Sequence, residues 1–285
     1  MRLLLGTRSF PAVGLGGMPL SLPPRPAHPE RLLHLALDLG VRLIDTADVY
    51  CRNDDDLGHN ERLLAAALRD HPARSEVLVA TKGGLRRPGG DWVEDGRPAA
   101  LRRACEASLL ALGVEQIALY QLHAPDSGVP FADSVGELFR LRTEGKIAEV
   151  GLSNVSVEEL GEACAIGPVV SVQNRLNPLD LSSIDVLRAC EGRGIAFFAY
   201  SPVGGSEQLE DVLTHPELLA AGQAHGVGPG TVALAWILSL SPRMFVIPGA
   251  RREASLRASV AAEALTLSAE WTTRLDAAFG LPGRP

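Results

Sequence analysis

The chain has 285 residues, 46% hydrophobic and 21% charged, long enough to bury a full core and to form either two small domains or one large α/β barrel. Its formal net charge of −7, with no basic stripe studded with aromatics, excludes a phosphate-backbone binder. No apolar run approaches the roughly 18 residues of a membrane span, and the opening MRLLLGTRSF has too short an apolar stretch for a signal peptide. The cysteines Cys51, Cys105, Cys164 and Cys190 form no CxxC pair and read as reduced thiols of a cytoplasmic protein. Neither HxH nor HExxH occurs, so no metal site is expected.

Residues 1–13 read as a short hairpin that closes the bottom of a barrel. Strand-like segments follow near 14–17, 42–45, 77–81, 117–122, 147–151, 169–172, 195–199 and 244–247. Helical segments lie at 29–39, 60–70, 98–112, 132–144, 156–165, 182–192, 230–239 and 251–263, with apolar residues three and four apart, such as Leu101, Cys105, Leu109 and Leu112. Gly40, Gly113, Gly145 and Gly194 stand just past helices, where left-handed caps belong. Eight strands alternating with eight helices predict a parallel sheet, and the length favours closure into one (β/α)8 TIM barrel domain over 1–285. The open doubly wound alternative lacks its GxGxxG turn, because Gly14-Leu15-Gly16-Gly17 runs into Met18 and Pro19. Two stretches exceed ordinary loops: 83–97, which carries Trp92, and 201–229, with an extra helix expected near 207–225. Long loops after barrel strands are where binding sites sit.

Three strands run into chemistry. VRLIDTADVY reaches Asp45 and then Tyr50, VLVATK ends in Lys82, and IALYQLH ends in His123. Each has a structural explanation by itself, as a turn cap or a packed core group. A barrel, however, brings all strand ends to one face. Of 27 cationic residues only Lys82 and Lys146 are lysines, which marks Lys82 as a place where a compact, tunable ammonium is wanted rather than a guanidinium fork. Beside that ammonium the phenol of Tyr50 is expected to titrate below its free value of about 10. Asp45 would hold Lys82 charged and aimed, and His123 would direct a substrate oxygen. The set reads as a general acid that protonates an oxyanion as it forms.

The segments IDTADVY, VATKGG, YQLHAPD, VGLSNVS, SVQNRLNP, AYSPVGG and VIPGARRE, in that order over nearly the whole chain, resemble successive motifs of the aldo-keto reductase superfamily. The resemblance implies reduction of an aldehyde or ketone by direct hydride transfer from NADPH, with NADH as the alternative. Tyr50 then resembles the proton donor, Lys82 and Asp45 its tuning partners, and His123 the residue that orients the carbonyl. Ser153, Asn154 and Gln173 match the group that holds the nicotinamide carboxamide, and Tyr200 the aromatic stacked on the ring. Ser201, Pro202, Val203 and Gly204 match the pyrophosphate loop. Gly249, Ala250, Arg251, Arg252, Ser255 and Ser259 match the adenosine-phosphate segment, and Gly17 and Met18 also fall against the cofactor. Read in isolation, Ser153-Asn154 would cap the next helix, Gln173 would satisfy backbone groups, Tyr200 would join the core, and Arg251-Arg252 would face solvent.

Ser255 and Ser259 stand where relatives often carry Arg or Gln and Asn, a weaker grip on a 2′-phosphate. Arg251 and Arg252, at a helix N-terminus that itself attracts anions, favour NADPH nonetheless. Met18 replaces a frequent large aromatic and Ala124 a frequent Trp, predicting a wide substrate pocket walled by Tyr50 and Trp92. The expected partner is a small-molecule aldehyde or ketone: a small sugar, pyridoxal or an aromatic aldehyde. Oligomeric state is not legible. Two rival readings stay open. One is a nucleotide-binding regulatory subunit of the same fold with little turnover. The other is a barrel lyase using Lys82 as a Schiff-base amine, which leaves Asn154, Gln173 and Tyr200 without a role.

Overall fold

A computed structural model describes residues 2–281 and Arg284. The chain opens with an antiparallel hairpin, β1 (Arg2–Leu5) and β2 (Arg8–Pro11). Phe10 is buried in the same apolar cluster as Leu43, Leu78, Ile117 and Ile147, so the hairpin seals the end where those strands begin. Eight parallel strands then form one sheet: β3 (Leu15–Gly16), β4 (Leu43–Asp45), β5 (Leu78–Gly83), β8 (Ile117–Leu122), β9 (Ile147–Ser153), β10 (Val169–Arg175), β11 (Ala196–Tyr200) and β12 (Met244–Val246). Each pairs with its neighbour in sequence. The sheet curls until its two edges meet. Gly14 N donates to Val246 O at 2.9 Å, Val246 N to Ala12 O at 3.0 Å and Gly16 N to Pro248 O at 3.1 Å. This seam closes a (β/α)8 barrel. Runs such as Leu43-Ile44 and Ala196-Phe197-Phe198-Ala199 are buried throughout, as strands covered on both faces must be.

The barrel helices are α2 (Pro29–Asp38), α3 (His59–Leu68), α4 (Pro98–Leu112), α5 (Phe131–Thr143), α6 (Val157–Ile166), α7 (Ile184–Arg193), α10 (Pro229–Leu238) and α11 (Glu253–Ala261), all within a few residues of their expected places. Gly40, Gly113, Gly145 and Gly194 are left-handed, with φ of 94°, 65°, 77° and 71°. Two stretches depart from expectation. The stretch 83–97 holds a small hairpin, β6 (Leu85–Arg86) with β7 (Val93–Glu94). The helix expected near 207–225 is two, α8 (Leu209–Thr214) and α9 (Pro216–His225), because Pro216 cannot donate into a continuing helix but suits the start of a new one. A one-turn α1 (Met18–Ser21) and a final α12 (Ala269–Ala278) complete the chain. From α12, Asp276 accepts a 2.8 Å bond from the buried indole of Trp236 on α10. Among the described residues no helix is long and apolar enough to cross a membrane.

Candidate active site

The four strand-end groups meet. Asp45 ends β4 and Lys82 lies near the end of β5, its side chain fully buried. Lys82 Nζ donates to Asp45 Oδ2 at 2.7 Å, to the carbonyl of Thr46 at 2.9 Å and to Tyr50 Oη at 3.0 Å. All three ammonium hydrogens are therefore placed. Tyr50 Oη stands 3.5 Å from Asp45 Oδ2. The His123 ring meets the Tyr50 ring edge-on, 5.8 Å between centroids. His123 is held by its backbone, with its N–H on Gly83 O at 2.9 Å and its carbonyl taking Asn154 Nδ2 at 2.9 Å.

Burial decides the protonation states here. The Tyr50 phenol is raised well above its usual range, by burial first and by the Asp45 carboxylate next. This reverses the expected lowering: the ammonium is real and close, but desolvation and the carboxylate outweigh it. Lys82 is lowered by burial, with Asp45 opposing. His123 is pushed well below the ordinary imidazole range by burial and by the charge of Lys82. At neutral pH the site thus holds a protonated phenol and a neutral imidazole.

Several supporting groups escaped sequence reasoning. Asn60 on α3 accepts from Thr46 Oγ1 at 2.6 Å and donates to Gly17 O at 2.9 Å, tying the ends of β3 and β4 together. A Cβ on Gly17 would stand 2.6 Å from Asn60 Oδ1 and 2.7 Å from Asp45 O, so only glycine fits. Asp48 and Glu61 are buried behind Lys82, and both carboxyls are raised by desolvation. Asp48 lies within the IDTADVY segment, whereas Glu61 on α3 belongs to none of the quoted motifs.

The residues assigned to a cofactor line the next strand ends. Asn154 and Ser201 are the only described non-glycine residues with positive φ, 59° and 48°, each strained by about 1–3 kcal/mol. Asn174 clamps the turn from both sides, through Val155 N at 3.2 Å and Val155 O at 2.8 Å. The cap of α6 is Ser156, in a capping box with Glu159, which leaves Ser153 and Asn154 free of that duty. Tyr200 is half-buried and donates to Asn154 Oδ1 at 2.9 Å. Gln173, opposite Ser153 in the β9–β10 register, donates to Asp45 Oδ1 at 2.7 Å. Gly204 and Gly205 have φ of 89° and 64°, giving a bare backbone turn after Tyr200. Hydroxyls, amides, an aromatic face and this turn, gathered at one mouth, fit a flat amide-bearing ring followed by phosphates. Pro202 and Ala250 are buried, Ala250 in the apolar cluster of Leu15 and Leu256. Arg251 and Arg252 are exposed at the start of α11, with Arg251 Nε on Pro24 O at 2.5 Å. Ser259 Oγ donates to Ser255 O at 2.9 Å within α11.

On the outer side, Trp92 is 44% exposed and turns its ring toward both Tyr50 and His123, with centroids 6.3 and 6.2 Å away. Met18 is exposed and Ala124, next to His123 in the chain, is half-buried. No group of three or more His, Cys, Asp or Glu side chains among the described residues is placed to hold a metal ion.

Comparison with known proteins identifies the family. Residues 12–279 match the model of the aldo/keto reductase family. The chain is 37% identical over 242 residues to an oxidoreductase of Schizosaccharomyces pombe, covering 84% of this chain and 75% of that protein. It is 33% identical over 286 residues to pyridoxine 4-dehydrogenase of Escherichia coli, covering 95% and 96%. An aldo-keto reductase from Klebsiella pneumoniae solved with NADPH superposes with a TM-score of 0.81 at 25% identity, covering 99% and 96%. With the barrel, the strand-end quartet and this match over nearly its full length, the chain belongs to the aldo/keto reductase family and is an NAD(P)H-dependent oxidoreductase of carbonyl compounds.

Proposed function

We propose that the chain reduces aldehydes or ketones to alcohols with NADPH, and that Tyr50 delivers the proton. The observation that carries this reading is the phenol oxygen 3.0 Å from the Lys82 ammonium, which is itself locked to Asp45. The nicotinamide, when bound, supplies the hydride. As the carbonyl oxygen gains negative charge, the Tyr50 hydroxyl gives up its proton to it. Lys82 then stabilises the phenolate left behind, since an adjacent ammonium favours a phenol's charged form. The neutral imidazole of His123 donates a second hydrogen bond that fixes the direction of the carbonyl. Ser153, Asn154 and Gln173 hold the carboxamide, and Tyr200 supports the ring face. Arg251 and Arg252 at the start of α11 attract the 2′-phosphate, which favours NADPH.

The exposed ring of Trp92 facing Tyr50 and His123 suits a flat aldehyde that can lie against it, and the relative named for pyridoxine makes pyridoxal the first to try. Purified protein is mixed with NADPH and either 4-nitrobenzaldehyde or pyridoxal, and nicotinamide absorbance is followed. Steady turnover is expected. Tight NADPH binding without turnover would instead support the regulatory-subunit reading, and better turnover with NADH under matched conditions would overturn the cofactor choice. Tyr50→Phe keeps the ring and removes only the acid. Reduction should fall by roughly 10²–10⁴-fold with NADPH affinity unchanged, and retained activity would mean that another group is the acid.

A further inference from the structure

The Asp45 carboxylate has two oxygens with separate duties. Oδ2 takes Lys82 Nζ at 2.7 Å and stands 3.5 Å from Tyr50 Oη. Oδ1 takes Gln173 Nε2 at 2.7 Å. Gln173 is 2% exposed, and its amide orientation is not arbitrary. A carboxylate accepts only, so the NH2 end must face it, and Oε1 must turn the other way. Ser153 is the register partner of Gln173 on the adjoining strand, and the left-handed Asn154 that follows it donates its backbone N–H to Gln173 O at 3.1 Å. One side chain therefore has its donor on the Asp45 carboxylate and its acceptor turned away from it, at the strand end that also carries Ser153 and Asn154.

We infer that Gln173 is a positioning residue that couples seating of the nicotinamide amide to the Asp45–Lys82–Tyr50 chain. The inference rests on the reductase reading and extends it: the amide does more than hold the ring. Gln173 anchors Oδ1 and so aims Oδ2 at Lys82, and that contact is what keeps the buried ammonium in place. Hydrogen bonding at Oε1 polarises the amide and strengthens the bond its N–H makes to Asp45. An occupied cofactor site thereby firms the grip on Lys82, and an empty one relaxes it.

The test compares wild type with Gln173→Met, which keeps the length and removes both hydrogen bonds, and Gln173→Glu, which sets a second carboxyl against Asp45. The kcat is measured against pH at saturating NADPH. In Gln173→Met the alkaline limb should move down by about one pH unit, a tenfold change in the controlling equilibrium, and Gln173→Glu should change the profile's shape. A second readout needs no turnover: ultraviolet titration of tyrosine in the cofactor-free proteins, with Tyr50→Phe as the blank. The Tyr50 transition should move in both Gln173 variants. If the variants weaken NADPH binding but keep the wild-type pH profile and tyrosine titration, Gln173 is only a cofactor contact and the inference falls. An unchanged variant in every respect also overturns it. Absent wild-type turnover would sink the reductase reading alone, because the cofactor-free titration would still report on the link from Gln173 through Asp45 to Tyr50.

Discussion

At the scale of single residues, the site depends on burying groups whose charges are then decided by depth as much as by neighbours. Tyr50 is raised and His123 lowered, each by burial first. The sign for activity follows. A raised phenol stays protonated through neutrality and loses its proton only above its free value of about 10, and a lowered imidazole stays neutral until well below its free value near 6.5. Carbonyl reduction at saturating cofactor should therefore show no inflection near pH 6.5, and a step there in the kcat profile would mean that His123 titrates in the working enzyme. For stability the directions oppose. His123 contributes stability above its free value that is lost as pH falls, whereas Tyr50 contributes stability that is lost as pH rises. The four residues themselves were legible because three strand-like runs ended in unlike polar groups and because a chain rich in arginine placed a lysine at 82. The direction of the phenol shift was not. It depends on how far the pocket excludes water, which no local pattern of residues encodes.

At the scale of elements, the β6–β7 hairpin presents Trp92 to the site. Arg87, 6% exposed, sits with its guanidinium carbon 3.9 Å over the indole, and its Nε and Nη1 have no hydrogen-bond partner. A desolvated cation held mainly by an aromatic face binds with roughly 2 kcal/mol, so the pair fixes the tilt of the ring that faces Tyr50 and His123. Arg87→Met should let the indole wander. The KM for an aromatic aldehyde should rise several-fold, within the limit of about 30-fold to which roughly 2 kcal/mol corresponds, with kcat and NADPH affinity nearly unchanged. A fall in kcat with constant KM would place Arg87 in the chemistry instead. This hairpin was invisible in the sequence because two-residue strands are too short to show alternation. The break between α8 and α9 is marked in the sequence by Pro216, which falls inside the span expected as one helix.

At the scale of the molecule, the strand–helix rhythm made the barrel legible, and the regular spacing of apolar runs and glycine caps placed nearly every helix. The closure itself was harder to read, since β3 is only two residues long and joins β12 through isolated bridges at Val13–Val246 and Gly16–Gly249. A Cβ on Gly16 would stand 2.7 Å from the carbonyl of Ile247. Gly16→Ala should prise the seam and lower unfolding free energy by about 1–3 kcal/mol, the usual cost of overpacking, and weaken NADPH binding alongside. A variant as stable as wild type in urea would show that the seam gives way freely. The same seam has a meaning for biosynthesis. Asp45, Tyr50, Lys82 and His123 have all left the ribosome long before Met244–Val246 is translated, so a nascent chain carrying every reactive group still has a raw strand edge where its last partner belongs. Until that late segment arrives, the growing polypeptide is both inert and prone to pair with strangers, and a chaperone's hold would matter most in that interval.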